Sequence, residues 1–347
     1  VSAPGRARDF VVMEKRTKKV ILLCLILFFL IIIYFFYTSL YGTAGRDTAL
    51  QTITVERGAP FSTVARRLGE RGLIRSQKKF MFAAWLLGAY REIQAGEYAF
   101  SPSMTPLAII RMLKSGAVRE YVITVPEGYT VREIGALLEK KGLTRADEFR
   151  ALALKGGIAS SLGLPGPTAE GYLFPDTYIL RKGMSAREIM AKMAGRFKEV
   201  YERELRAEAE ERGMNAREVV TLASMIEKET SDPSERALIS SVFHNRLRRG
   251  IKLQSDPTVI YAIKAFDGNI RKKDLDIRSP YNTYLHYGLP PGPIANPGLA
   301  SMRSAIEPAD TDYLYFVSRN DGTHYFSRTY REHQRAVRRF QLGRGQR

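Results

Sequence analysis

The sequence predicts an α+β protein with an N-terminal transmembrane helix, a small strand–helix–helix–strand module and a larger mixed α+β domain. Three observations predict it. Residues Val20–Tyr37 are 18 consecutive apolar residues. A short strand, a glycine turn and an amphipathic helix are spelled twice, 70 residues apart. Beyond residue 150, helical patterns alternate with loops dense in Gly, Pro, Asn and Tyr. A length of 347 residues leaves room for two or three modest domains with real cores. With 45% hydrophobic and 26% charged residues, most of the chain has an ordinary globular composition.

The apolar run is long enough to reach across most of a hydrocarbon layer of ~30 Å. Lys15, Arg16, Lys18 and Lys19 precede it, and the first acids beyond it are Asp47 and Glu56. By the positive-inside rule residues 1–19 form a cytoplasmic basic tail, 20–41 cross the inner membrane once, and the remainder is exported. A cleaved signal peptide is the alternative, but the run exceeds an ordinary h-region and no A-x-A site follows, so an uncleaved anchor is expected. Residues 42–50 are expected to be a short tether. Val55-x-x-Gly58, Val64-Ala65, Leu68 and Gly72-Leu73 then recur as Val125-x-x-Gly128, Ile134-Gly135, Leu138 and Gly142-Leu143. Each copy reads as a strand, a turn, a helix and a glycine-capped exit. The first copy opens a module at 51–118 with strand 52–56, helices 61–70 and 77–88, and strand 95–100. That βααβ order, opened by Val-x-x-Gly, resembles the LysM carbohydrate-binding module. A helix from Thr105 to Lys114 follows, with Pro106 in its first turn and Gly116 past its end. The second copy and its connection occupy 119–150, with a strand at Tyr121–Val125. Helices are predicted at 186–212, 216–230 and 234–249 within a domain spanning 151–341.

Cysteine use narrows the chemistry. The one cysteine, Cys24, lies in the anchor, so the exported region contains no disulfide and depends on its core. Four scattered histidines and no C-x-x-C or H-E-x-x-H spacing give no local metal site, and no metal or other cofactor is expected. The formal net charge of +18 fits an anionic polymer or lipid surface. Because the anchor places the basic bulk on the periplasmic, extracytoplasmic side of the membrane, cell-wall material and lipid surfaces are expected as partners in place of nucleic acid.

Asn215 and Glu218 form a capping box for the helix 216–230, whose apolar stripe is Val219, Leu222, Ala223 and Ile226. Glu227 and Glu229 fall on the two flanks of that stripe, and periodicity does not choose between them. The ordinary reading of either is a solvated last-turn carboxylate. Both oppose the helix macrodipole, which a catalytic duty would explain. Gln254-Ser255-Asp256-Pro257-Thr258, Tyr281-Asn282-Thr283-Tyr284 with Gly288–Ile294, and Glu170–Tyr178 offer aromatic faces beside hydrogen-bonding side chains, as a sugar-binding groove does. Each alone is equally well read as a Gly/Pro-shaped turn.

Taken with Ala223–Thr230, Asn245-Arg246-Leu247, Leu253–Tyr261, Gly288–Pro297 and Tyr313–Val317, these stretches make the chain similar to the endolytic murein transglycosylase family (MltG/YceG-like). The resemblance covers nearly everything after the anchor. It implies cleavage of the β-1,4 bond between N-acetylmuramic acid and N-acetylglucosamine in peptidoglycan, leaving a 1,6-anhydro end and terminating nascent strands. Glu229-Thr230 is similar to the Glu-Ser pair on the catalytic helix of other lytic transglycosylases, which implies Glu229 as the catalytic carboxyl with Glu227 as fallback. Gln254, Asp256, Asn282 and Tyr284 are the expected substrate-positioning residues, and cell-wall synthesis enzymes are possible partners. The rival reading is a non-catalytic peptidoglycan-binding membrane protein, which would bind sacculi and release no fragments.

Overall fold

A computed structural model describes residues 5–342. Residues 1–4 of the expected cytoplasmic tail, and the Lys15 side chain, lie outside what it describes. The architecture is mixed α+β, divided into two compact units. One runs up to Glu120 and includes Arg181–Gly183; the other comprises Tyr121–Leu180 and Met184 onward. Among the described residues the strands form three two-stranded sheets.

The first unit opens with helix α1 (Gly5–Tyr41). Its stretch Arg16–Tyr41 is long and apolar enough to cross a membrane, and its most apolar window is not buried in protein. Strand β1 (Gln51–Val55), helices α2 (Phe61–Glu70) and α3 (Gln77–Leu86) and strand β2 (Gly96–Phe100) follow, with β1 and β2 antiparallel and Val55 opposite Gly96. Helix α4 (Pro106–Ser115) has Thr105 as N-cap, Pro106 in its first turn and Gly116 as left-handed C-cap. Phe61, Leu68, Phe80, Tyr98, Phe100 and Leu113 fill the core between these elements. The segment expected to be a tether is hydrogen-bonded to the loop after β2, through Gly45 N–H to Pro102 O (2.9 Å) and Ser103 N–H to Asp47 O (3.0 Å).

In the second unit β3 (Glu120–Thr124) leads to α5 (Val131–Lys140), α6 (Ala146–Ala153) and α7 (Ile158–Ser161), and β3 pairs with β4 (Thr177–Arg181). The single helix expected over 186–212 is two: α8 (Ala186–Glu204) and α9 (Arg206–Glu211). The break falls at Leu205, whose backbone leaves the helical region (φ −133°, ψ −28°) while its side chain stays buried. Burial of that leucine, and of Ala209 after it, outweighs helix continuity.

Helix α10 (Ala216–Glu229) starts from the predicted Asn215/Glu218 capping box. The sequence pattern suggested one buried stripe, but every residue from Val219 to Ile226 is buried. Partners cover it all round: α11 (Arg236–Arg248), α12 (Asp256–Ala262) and α13 (Leu299–Ile306). Its mid-helix polar residue Ser224 is satisfied, donating to Thr221 O (2.7 Å) and accepting from Ile294 N–H (3.0 Å). A hairpin of β5 (Tyr315–Ser318) and β6 (His324–Ser327) and helix α14 (Tyr330–Val337) close the unit.

Candidate active site

Helix α10 ends where two loops converge. Thr283 knits the loops together: its Oγ1 accepts from Ser255 N–H (3.0 Å) and bonds the Thr258 hydroxyl (2.9 Å), and its carbonyl accepts from Gln254 N–H (3.2 Å). Ser255 occupies the N-cap position of α12, yet its side chain caps nothing. Its hydroxyl donates instead to Glu229 Oε1, 2.5 Å away. A serine cap is ordinarily worth about 1 kcal/mol to a helix, so this orientation forgoes local stability. The residue before it, Gln254, is held at φ +51°, a left-handed conformation costly for a residue with a side chain. Such strain in a loop next to a carboxylate is a common mark of a working site.

Glu229 is half-buried by surface area, while its carboxyl group is densely surrounded by protein. That combination describes a group at the floor of a depression. Desolvation by this surrounding pushes its pKa up to about 7; the Ser255 hydrogen bond and the Arg246 guanidinium pull the other way, and the Asp256 charge pushes with burial. The C-terminal end of α10 adds a further push, because carbonyl dipoles there disfavour a second negative charge.

Tyr284 and Asp256 form a pair beside Glu229, with the tyrosine hydroxyl donating to Asp256 Oδ1 (2.6 Å). Burial and the Asp256 carboxylate keep that hydroxyl protonated. Gln254 and Asp256 are exposed and Tyr284 half-exposed, so all three offer polar groups to solvent. Asn282 is different. It is fully buried, its Nδ2 donates to the Leu275 and Ile277 carbonyls (both 2.9 Å), and its Oδ1 accepts from Tyr284 N–H (2.9 Å). It therefore shapes the loop that presents Tyr284, with no polar atom left over for a ligand.

Glu227 turns to the other side of the helix. Its Oε2 accepts from Gly298 N–H (3.0 Å) ahead of α13, and its Oε1 lies 3.8 Å from the Arg236 guanidinium. Arg236 also approaches Glu127 (3.9 Å), whose pKa is raised by burial first and by the Glu227 charge second. The two acids that periodicity could not separate thus have separate surroundings, one packed against α13 and one beside the α12 loop.

Two groups at the site lie in stretches that the sequence singled out but were given no role of their own. The role of Ser255 was hidden because nothing in a sequence says which way an N-cap serine points. Arg246 is buried, with Nε donating to Leu314 O (2.6 Å), Nη1 to Leu253 O (2.9 Å), and its guanidinium stacked 5.0 Å from the Tyr315 ring. It fastens the loop carrying Gln254 to the last hairpin and places a cation near Glu229.

A second carboxyl, Glu170, also titrates near 7 through burial. Its Oε1 accepts from Val131 N–H (2.9 Å) and Asn296 Nδ2 (3.2 Å), and its Oε2 from the Tyr261 hydroxyl (3.4 Å). Only 3% of Glu170 is exposed, so it pins α5 to neighbouring loops and reaches no ligand. A cavity of about 450 Å³ lies at the opposite end of α10, against Asn215, Arg217, Glu218 and Thr221. Its one lining acid, Glu218, is engaged by Asn215 N–H (3.0 Å), so the chemistry does not reside there. Among the described residues no group of three or more His, Cys, Asp or Glu is arranged to hold a metal ion.

A profile of the YceG-like family matches residues 53–339. An endolytic murein transglycosylase of Bacillus subtilis is 34% identical over 306 residues, covering 83% of this chain and 84% of that protein. One from Streptococcus pneumoniae is 29% identical over 323 residues, and the match spans 82% of this chain but only 57% of that longer protein. A crystal structure of a yceG-like protein from Listeria monocytogenes superposes with a TM-score of 0.58 at 30% identity, covering 83% of this chain and 99% of that one.

Proposed function

The chain belongs to the YceG-like family, and on that premise we propose that it is a membrane-anchored lytic transglycosylase of peptidoglycan with Glu229 as its one acid–base group. A single observation carries the assignment of the residue: a carboxyl crowded enough to hold its proton near pH 7 is still open to solvent on one side. Glu227 and Glu170, the other buried acids nearby, are consumed by backbone N–H groups of neighbouring elements.

Reaction at this site needs one carboxyl in two states. Ser255 donates to Oε1, which leaves Oε2 to carry the proton of the neutral acid. That proton passes to the glycosidic oxygen as the C1–O4 bond of N-acetylmuramic acid breaks and positive charge builds on C1. The muramic C6 hydroxyl then attacks C1, and its proton returns to the Glu229 carboxylate. The bond order balances without water, and the product carries a 1,6-anhydro end. Most glycosidases use a second carboxyl as nucleophile or base; here the sugar's own hydroxyl and N-acetyl group take that part. The Asp256 charge beside Glu229 favours the protonated acid before reaction, and the Ser255 hydroxyl steadies the carboxylate afterwards. Gln254, Asp256 and Tyr284 form the polar wall that orients the glycan, and Asn282 supports Tyr284 from beneath.

The remaining parts of the reading concern placement. Helix α1 is a single-pass anchor with the basic tail in the cytoplasm, and the chain after α1 lies on the outer side of the inner membrane. The β1-α2-α3-β2 module is LysM-like and grips glycan, which sets the enzyme to cut strands as they leave their synthesis machinery. Digesting purified sacculi with the protein and with Glu229→Gln, then reading the products by mass spectrometry, tests the assignment. Anhydro-ended fragments with the native residue only are expected. Reducing ends would make the protein a hydrolase, and undiminished anhydro products from the variant would remove Glu229 from the mechanism.

A further inference from the structure

Helix α3 has an unusual composition. From Phe80 to Leu87 it reads Phe-Met-Phe-Ala-Ala-Trp-Leu-Leu without a polar break. Phe80, Ala83 and Ala84 face the core of their unit. The opposite side is apolar too, and it is open: Trp85 is 67% and Leu86 46% exposed. A helix apolar on every side is normally covered on every side, by protein or by lipid.

What lies beside this open face identifies the cover. Phe82 packs against α1, its ring 5.5 Å from Phe35 and 5.3 Å from Phe36, and Trp85 continues the cluster 6.0 Å from Phe82. Phe35 precedes the end of α1 at Tyr41 by six residues, about 9 Å along the helix. The contact therefore lies within the last two turns of the apolar span, at the depth of a bilayer's outer interface. Tyr34, Tyr37 and Tyr41, all exposed on those turns, mark the same level, as interfacial aromatic belts do. Lys79 stretches along the helix end, donating to Thr38 Oγ1 (2.9 Å) with its ammonium 5.3 Å from the Phe35 ring. A cavity of about 170 Å³ at this junction is lined by Thr38, Ser39, Arg75, Ser76 and Lys79, and Lys78 is exposed one residue away. Basic side chains beside an aromatic step match the layering of phospholipid phosphates above acyl chains.

We propose that the outer face of α3, led by Trp85 and Leu86, inserts into the outer headgroup region of the bilayer and seats its unit on the membrane, with Arg75, Lys78 and Lys79 engaging phospholipid phosphates. This rests on α1 spanning that bilayer. The proposal makes the module a footing for the anchor, independent of any glycan it binds.

Trp85 is the chain's single tryptophan, so the native protein carries its own probe. The full chain is reconstituted into nanodiscs of phosphatidylethanolamine and phosphatidylglycerol, and its emission followed with lipids brominated high or low on the acyl chain and with acrylamide in the water. The expected result is blue-shifted emission, quenched by half or more by the high-brominated lipid and several-fold less by acrylamide than a free tryptophan analogue. Arg75→Gln with Lys78→Gln should weaken the lipid quenching in anionic discs toward its level in purely zwitterionic ones. Emission typical of water, quenched by acrylamide and indifferent to both brominated lipids in chains that remain in discs, overturns the seating and leaves the anchor standing; a face reserved for a protein partner gives this same result. Chains that fail to enter discs at all overturn the anchor first, and the seating with it.

Discussion

The two copies of the 70-residue echo fold alike and do different work. In each, a glycine with positive φ makes the turn after the strand, at Gly58 (+76°) and Gly128 (+73°). Ten-residue helices follow at corresponding positions, and each exit is tied by a leucine N–H to a carbonyl five residues back, Leu73 to Leu68 (2.9 Å) and Leu143 to Leu138 (3.0 Å). What touches the turns differs. A Cβ added to Gly58 would meet nothing within 4 Å, whereas one on Gly128 would stand 3.4 Å from Glu227 Cγ. Lys228 donates to the Gly128 carbonyl (3.3 Å), and Glu127 joins Glu227 around Arg236. The second copy also caps its helix with a full Thr130/Glu133 box, while the first starts from Pro60 with no side-chain cap. The same local code thus builds a surface corner in one unit and a support for the end of α10 in the other. Local sequence dictates the turn, and packing dictates its use.

The largest expected effect lies on the supported side. Glu229→Gln should lower glycan cleavage by about 10³-fold or more, since it removes proton transfer in both directions; retained cleavage would show that the second copy supports nothing catalytic. Next come the turn glycines themselves. Gly58→Val should cost about 1–2 kcal/mol for the left-handed backbone alone. Gly128→Val should cost about 2–5 kcal/mol, because its methyl groups also press on Glu227. Urea melts of the two variants should separate accordingly, and equal losses would mean the contact with α10 carries no weight.

A smaller effect has the opposite sign. The folded protein holds the Glu229 pKa near 7, above an unfolded value of about 4.3. The native state therefore binds the extra proton, and the stability this gives is fully present below the unfolded pKa and lost as pH rises through the folded one. Glu229→Gln cannot ionise, so it should match the native chain near pH 4 and exceed it by about 1–3 kcal/mol at pH 8. A variant less stable at both pH values would assign Glu229 a structural role. The smallest change belongs to the first copy: Glu56, exposed and paired with Arg67 at 3.0 Å, should be replaceable by Ala for less than about 1 kcal/mol and with no change in cleavage.

The echo explains which parts of the fold were legible. Turn glycines, capping boxes and helix periods act over a few residues, so Gly58, Gly128, Asn215 and the α2 boundaries could be read directly from sequence. The break at Leu205 could not, because a buried leucine at a bend spells the same letters as one inside a helix. Nor could the full burial of α10, which depends on how α11, α12 and α13 pack around it. At the site, residue type left Glu227 and Glu229 open and the family resemblance pointed to Glu229; Gln254, Asp256 and Tyr284, expected beside it, do lie around it. Asn282 was chosen on the same grounds but spends its amide on the loop backbone. Ser255 and Arg246 lay in stretches singled out from sequence without a role, because direction, and not identity, gives them their part.

The central claim is that Glu229 keeps its proton close to neutrality. Following the side-chain carboxyl ¹³C resonances of glutamate-labelled protein against pH, and subtracting the spectra of Glu229→Gln, isolates this one group from Glu170. The account predicts a difference signal that titrates near pH 7. A midpoint between pH 4 and 5, the range of an ordinary solvated glutamate, would contradict it.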